Sequence, residues 1–304
     1  MMETMPVTGV FAAVLTPRNV DGDVDTKALE HSLQFLMSKG IEGFALNGAT
    51  GEFCITTPQE FETILQVTAD VTQGKASFIA GIGAASERTA VQLGKIASRS
   101  GATALLLPMP YFFPYLQDDL SAFCRSVAAR LDTSILLYNL PQFSSGLLPQ
   151  TTASLITECD NIVGIKDSSG SLDTVRLLTR NNISSCRIIG NDGALPGALQ
   201  ERLCDGVVSG VACVLPELMQ ALYKAGRNGT SQADELDALT AQLHDFIIQL
   251  DALPVPWGLK VIAEMRSLAQ AHYALTLSGS RMQNIAAFQQ WFTTNHTSLL
   301  GAQL

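Results

Sequence analysis

The sequence predicts a (β/α)8 barrel followed by a C-terminal three-helix extension, and three observations carry that reading. Eight short, β-rich apolar runs alternate with eight amphipathic stretches between Val10 and Ala225. The runs begin 19 to 34 residues apart, close to the length of one strand–helix unit. They are apolar on both faces, as parallel strands covered by helices must be, and each closes on small or polar residues. Eight such units favour a closed barrel over an open doubly wound sheet. No Gly-x-Gly-x-x-Gly opens the first helix, which argues further against a dinucleotide-binding fold.

In chain order, strands are expected at Val10–Leu15, Gly43–Asn47, Ser77–Gly81, Ala104–Leu107, Ile135–Tyr138, Val163–Lys166, Arg187–Gly190 and Gly206–Ser209. The helices between them are expected at Lys27–Lys39, Pro58–Thr72, Glu87–Ser100, Asp118–Arg130, Pro149–Ile156, Leu172–Thr179, Ala194–Leu203 and Pro216–Ala225. Thr57-Pro58 supplies a cap followed by proline at the first helical position, and Gly40, Gly101 and Gly226 fall where helices should stop. Gly81-Ile82-Gly83 reads as a tight turn after the third strand. Past Asn228 the pattern changes: Ser231–Leu250, Pro256–Ala271 and Arg281–Phe292 read as helices with no β-run between them. The barrel is therefore expected over residues 1–228 and a helical region over residues 229–304.

Hydrophobic residues make up 47% of the chain and charged residues 15%, enough apolar surface for a large core and too little charge for a disordered chain. The net charge of −9 repels phosphate backbones, so nucleic acid is not an expected partner, although a small anion can still find a local field of its own. Six cysteines show no Cys-x-x-Cys spacing and the four histidines are scattered, so neither a metal site nor a disulfide framework nor any cofactor is expected. A reduced cytoplasm is the plain expectation. Met1–Val10 has no basic segment, and no run reaches ~18 uninterrupted apolar residues, so neither a signal peptide nor a membrane span is expected.

In such a barrel the site lies at the C-terminal ends of the strands. There the chain has Asn47-Gly48-Ala49-Thr50-Gly51-Glu52, Tyr138-Asn139, Lys166-Asp167-Ser168-Ser169-Gly170 and Gly190-Asn191-Asp192. Of seven lysines, Lys166 alone terminates an apolar strand; the others fall on helices or loops. An amine drawn into an apolar mouth loses hydration, which favours its neutral, nucleophilic form and hence a Schiff base with a carbonyl. Pairing with a barrel carboxylate is an equally open reading from position alone. Tyr138, on the adjacent strand, could relay protons or could be a core tyrosine with a satisfied hydroxyl. The turn at Gly48–Gly51 could cradle a carboxylate on its N–H groups, or be merely a turn.

Together these motifs resemble the dihydrodipicolinate synthase / N-acetylneuraminate lyase family of class I aldolases. Gly48-Ala49-Thr50-Gly51-Glu52 matches its Gly-Thr-Thr-Gly-Glu, Tyr138-Asn139-Leu140-Pro141 its Tyr-Asn-x-Pro, and Gly164–Gly170 its lysine motif. Gly190-Asn191-Asp192, Gly206–Ser209 and Pro254-Val255-Pro256 with Lys260 follow in family order. The resemblance implies a homotetramer of paired dimers, with Lys166 forming a Schiff base to pyruvate or a pyruvyl group and Tyr138 transferring protons. It implies that Ala49 and Thr50 hold the carboxylate and that Val208 lines the pocket behind the Schiff base. Ser168 and Asp192 are implied as further substrate-binding positions.

The chain departs from the family in telling places. Phe112 stands where a relay tyrosine is usual and Ala49 where a relay threonine is. No arginine lies between Arg130 and Arg176, although dihydrodipicolinate synthases place one just after Tyr-Asn-x-Pro. Asp192 is followed by Gly193 rather than the glutamate of sialic acid lyases. A Schiff-base lyase with pyruvate as common fragment is the leading expectation. Its alternatives are a keto-deoxy sugar acid dehydratase or hydratase, a 4-hydroxy-tetrahydrodipicolinate synthase, and a silent 2-oxo acid sensor. With Phe112, Phe113 and Phe143 near it, the aldehyde end of the pocket is expected to be apolar and to make aspartate semialdehyde a poor substrate, unless Arg266 or Arg281 of the tail restores a charge.

Overall fold

The computed structural model of the protein describes residues 7–228 and 232–300; Met1 to Pro6 and Ser231, on which part of the expectations above fall, lie outside them. Eight parallel strands close into a barrel in sequence order: β1 (Gly9–Ala13), β2 (Gly43–Leu46), β3 (Ser77–Gly81), β4 (Ala104–Pro108), β5 (Ile135–Asn139), β6 (Ile162–Asp167), β7 (Cys186–Ile189) and β8 (Gly206–Ser209). β1 pairs with both β2 and β8, with Phe11 opposite Gly43 on one side and Val208 on the other. Every strand lies within two residues of its expected limits. β2 ends before Asn47 because Asn47 turns into the left-handed region at φ 52°.

Around the barrel run α1 (Thr26–Ser38), α2 (Pro58–Thr72), α3 (Glu87–Arg99), α4 (Gln117–Ala128), α5 (Pro149–Glu158), α6 (Asp173–Arg180), α7 (Leu195–Gln200) and α8 (Pro216–Asn228). Their starts are written in the local chemistry. Asp25 caps α1 through the Ala28 amide, Ser86 caps α3, and Thr57 and Glu60 form a reciprocal capping box with Pro58 at the start of α2. Gly40 and Gly101 end helices at positive φ as expected. Gly226 does not: α8 continues through it to Asn228, and the residue is small because a Cβ there would stand 2.6 Å from Leu199.

Two cores result. A large one fills the layer between strands and helices, and a smaller one fills the barrel lumen with Phe11, Leu106, Leu136, Tyr138, Ile188 and Val208 among others. Close strand packing imposes glycine at two lumen positions. A Cβ on Gly43 would lie 2.3 Å from the Phe11 ring, and one on Gly164 would lie 2.1 Å from the Cys186 carbonyl.

The C-terminal extension comprises α9 (Ala233–Leu250), α10 (Trp257–Met265) and α11 (Gly279–Leu300). α10 stops well short of the expected Ala271, since Ser267 adopts φ 57° and the chain turns away. α11 runs past the expected Phe292, held by Phe288 and Trp291 against Phe246 of α9. α9 packs on the turn Asp192–Ala194 that follows β7, so the extension touches the end of the barrel where the site candidates lie. Among the described residues no helix is long and apolar enough to cross a membrane.

Candidate active site

Lys166 and Tyr138 are partners in the β5–β6 register, which places both side chains on the lumen side of neighbouring strands. Both are buried, Lys166 at 4% exposure and Tyr138 at 2%. The Lys166 Nζ lies 3.8 Å from the centroid of the Tyr138 ring, so the amine rests on the phenol's face. Among the described residues no carboxylate stands at ion-pair distance from Lys166, although its charge still favours the ionised form of the buried Asp192. The floor beneath it needs glycine. A Cβ on Gly190 would stand 2.1 Å from Ser168 Oγ and 2.7 Å from Lys166 Cε, so Gly190 makes room for both. Val208 lies in the same lumen core as Tyr138 and is 1% exposed.

Polar atoms without partners lie near this amine. Ser168 Oγ and one carboxylate oxygen of Asp192 are buried with no hydrogen-bond partner, as is one oxygen of Asp167 on the opposite face of β6. Such atoms in a native interior mark a place where water or a ligand completes the bonding. The other oxygen of Asp192 accepts from the Val211 amide at 3.2 Å. Burial pushes the Asp192 carboxyl above the usual aspartate range, against the opposing pull of the Ser209 hydroxyl, the Val211 amide and Lys166. Asp167 and Asn139, at the ends of β6 and β5, hold the loops: Asn139 donates to Asp167 Oδ1 and accepts from the Leu147 amide, while Asp167 accepts from the Ser169 amide.

The turn after β2 is braced from three directions. Glu52 and Phe53 amides close it on the Ala49 and Gly48 carbonyls, leaving the Ala49 and Thr50 amides outside those closing bonds. Asn47 donates to the Gly81 carbonyl at 2.8 Å, and Thr16 donates to the Gly51 carbonyl at 2.9 Å. Gly81 is therefore less a turn residue than a point of close approach, since a Cβ there would strike the Asn47 carbonyl at 2.0 Å. Thr50, 8% exposed, brings its hydroxyl to the same virtual Cβ of Gly210 that Asp192 approaches, so the β2 and β7 ends face one another across Gly210.

The third brace comes from the extension. Glu52 sits at φ 55° and its carboxylate lies 2.6 Å from Lys260 Nζ of α10, in an ion pair exposed by only 10% and 6% on the two sides. The Glu52 oxygen meets the amine at ion-pair distance but outside hydrogen-bonding angles, while Lys260 donates to the His272 carbonyl at 2.6 Å. Lys166 keeps its expected distinction as the lysine that closes a strand, while Lys260, on α10, is equally buried at 5% but neutralised. Its signal was present in Trp257–Ala263, an otherwise apolar run with one lysine in it.

Above the inner group opens a cavity of about 630 Å³, reached past Ala49 and Leu140. Its lining is mostly carbon, with Phe53, Met109, Phe143 and Leu275 among the walls. The expected apolar character is there, but Phe112 and Phe113 do not line it. Phe112 is 84% exposed at φ 84° and stacks edge-on with Phe113 on the outer surface, and Tyr111 faces the cavity instead. Arg266 is also elsewhere, paired with Glu217 and stacked on Phe35. Arg281, at the start of α11, does line the cavity. Among the described residues no group of three or more His, Cys, Asp or Glu side chains could hold a metal ion, and all six cysteines are unpaired.

The structure is a (β/α)8 barrel with a lysine and a tyrosine packed together at its strand ends beside a braced turn, and comparison with known proteins identifies the family. Residues 6–278 match the sequence model of the Dihydrodipicolinate synthetase family, and the chain belongs to that family. The 4-hydroxy-tetrahydrodipicolinate synthase of Methanopyrus kandleri is 30% identical over 268 residues, covering 87% of this chain and 88% of the relative. The solved dihydrodipicolinate synthase of Aquifex aeolicus superposes with a TM-score of 0.87 at 25% identity, covering 96% and 99% of the two chains. The chloride-inhibited dihydrodipicolinate synthase of Acinetobacter baumannii, solved in complex with pyruvate, gives a TM-score of 0.84 at 26% identity over 93% and 98%. The chain is thus a member of a Schiff-base aldolase family.

Proposed function

We propose that this protein reversibly joins or cleaves a 2-oxo acid through a Schiff base on Lys166, with pyruvate as the common fragment. The observation that supports this most directly is the buried Lys166 amine at a strand end, seated 3.8 Å from the Tyr138 ring centroid. The neutral amine attacks the keto carbon to give a carbinolamine, which loses water to form the iminium. Loss of a C3 proton then yields an enamine that attacks the aldehyde carbon. In the reverse direction the C3–C4 bond breaks and its electron pair moves into the iminium. Tyr138, on the neighbouring strand, is assigned the proton transfers, and the amides at Ala49 and Thr50 the pyruvyl carboxylate. Ser168 and Asp192 present the unpartnered polar atoms that a bound head group would satisfy, and Val208 closes the lumen behind it.

A paired-dimer tetramer acting in the cytoplasm belongs to the same proposal. Its support is the exposed apolar face made by Phe112, Phe113, Leu116 and Leu148, on the β4 and β5 loops that hydrogen bonds from Tyr115 and Gln117 tie together. The mechanism is tested by borohydride reduction with pyruvate. One pyruvyl adduct on Lys166, absent in Lys166→Ala, is expected. An adduct on another lysine, or none with any 2-oxo acid, would overturn it.

A further inference from the structure

We infer that Arg281 anchors a negatively charged group at the far end of the second substrate, and that the cavity selects an aliphatic chain ending in a carboxylate over a polyhydroxylated one. This inference rests on the Schiff-base reading above, because it places the reacting carbon at Lys166 and the tail in the cavity beyond Ala49 and Leu140.

Arg281 is the single cationic side chain among the residues that line the cavity, and it takes part in no ion pair among the described residues. The one anion in the lining, Glu52, is taken by Lys260. Nη1 of Arg281 donates to the Ala252 carbonyl at 3.1 Å, and the guanidinium carbon lies 5.6 Å from the Trp257 ring centroid. These two contacts hold the guanidinium while using one of its five N–H donors, and the remaining fork matches a carboxylate in two parallel hydrogen bonds. The side chain is partly buried at the start of α11, with its guanidinium beside the Trp257 ring on the cavity wall.

The rest of the lining suits the rival substrate class less well. A sugar acid brings several hydroxyls, and each one buried without a partner loses its bonds to water. The walls offer the Tyr111 and Ser144 hydroxyls, and Ser144 already donates to the Leu140 carbonyl. Phe53, Met109, Phe143 and Leu275 suit methylene groups instead.

The test uses two 2-oxo acids of equal length, 2-oxoadipate with a terminal carboxylate and 2-oxohexanoate with a terminal methyl, each trapped on Lys166 by borohydride at graded concentrations. Pyruvate, which has no tail, is the reference. The intact protein is expected to half-saturate at roughly ten-fold lower 2-oxoadipate than 2-oxohexanoate, the worth of one charge-assisted hydrogen bond. Arg281→Gln, which keeps a donor for Ala252, should bring the ratio to within about two-fold, Arg281→Lys should keep part of it, and Arg281→Glu should invert it. Equal trapping of the two acids by the intact protein, failure of both while pyruvate is trapped, or a ratio unchanged in Arg281→Gln would each overturn the role of Arg281. Failure of pyruvate itself to label Lys166 would instead overturn the Schiff-base reading beneath it.

Discussion

Around Lys166 the barrel buries polar atoms that lack partners, whereas the cavity above it buries carbon and holds one cation at its wall. The two regions also differ in what builds them. Strand ends supply the inner group, and the β5–β6 register sets Lys166 against Tyr138 with no loop intervening. Loops and the C-terminal extension supply the outer cavity, through Phe53, Phe143, Trp257 and Arg281. A barrel built this way can keep one half of its chemistry while the other half changes, because substitutions in the walls leave the strand register untouched.

The sharpest way to break the contrast is at the phenol. Tyr138→Phe keeps the ring on which the Lys166 amine rests and removes only the hydroxyl, so packing should survive while proton transfer fails. Turnover should fall by ~10²–10⁴, with the melting temperature little changed. Near-normal turnover in this variant would mean that protons travel by another route and that the ring alone matters.

A smaller effect is expected where the two regions are joined. Glu52 belongs to the carboxylate turn and Lys260 to the extension, and removing one partner leaves an uncompensated buried charge. Lys260→Met should cost about 3–5 kcal/mol of stability and raise the pyruvate concentration needed for half-saturation, with less effect on turnover of the saturated enzyme. Combining it with Glu52→Gln should recover part of the stability, because no lone charge then remains, while the weakened grip on pyruvate persists. If half-saturation by pyruvate follows the stability back to normal in the double variant, the pair braces the fold and not the turn.

Much of the inner region was readable in the chain because strand ends announce themselves. Lys166 closes an apolar run, Tyr138 closes the one before it, and period-two alternation then fixes the face on which both must lie. Gly81 and Gly226 were misread because glycine serves a turn and a close approach alike, and only the neighbour across the gap, Asn47 or Leu199, tells which. The cavity was less legible for the same reason. Whether Phe112 or Tyr111 faces inward depends on the positive φ at Phe112, and the choice between Arg266 and Arg281 depends on where α10 stops. Neither is a property of local pattern. The Glu52–Lys260 pair joins residues more than two hundred positions apart, which no local periodicity can report.

The mildest prediction sharpens the polar side of the contrast through pH. Asp192 keeps one oxygen buried without a partner, and burial raises its carboxyl above the 3.8 of an ordinary aspartate. Below that value the group is protonated in folded and unfolded chains alike and exerts no pH dependence. As pH climbs from 3.8 through the raised pKa, the unfolded chain releases its proton first, so the folded state is progressively disfavoured. Above both values the loss is complete and constant. Asp192→Asn keeps the shape and cannot ionise, so the melting temperature of the native protein should fall relative to the variant across that window and run parallel to it above. Curves that stay parallel from pH 3.8 upward would show that the hydrogen bonds from Ser209 and Val211, with the charge of Lys166, compensate the buried carboxylate in full, and the inner region would then be less polar in cost than its unpartnered atoms imply.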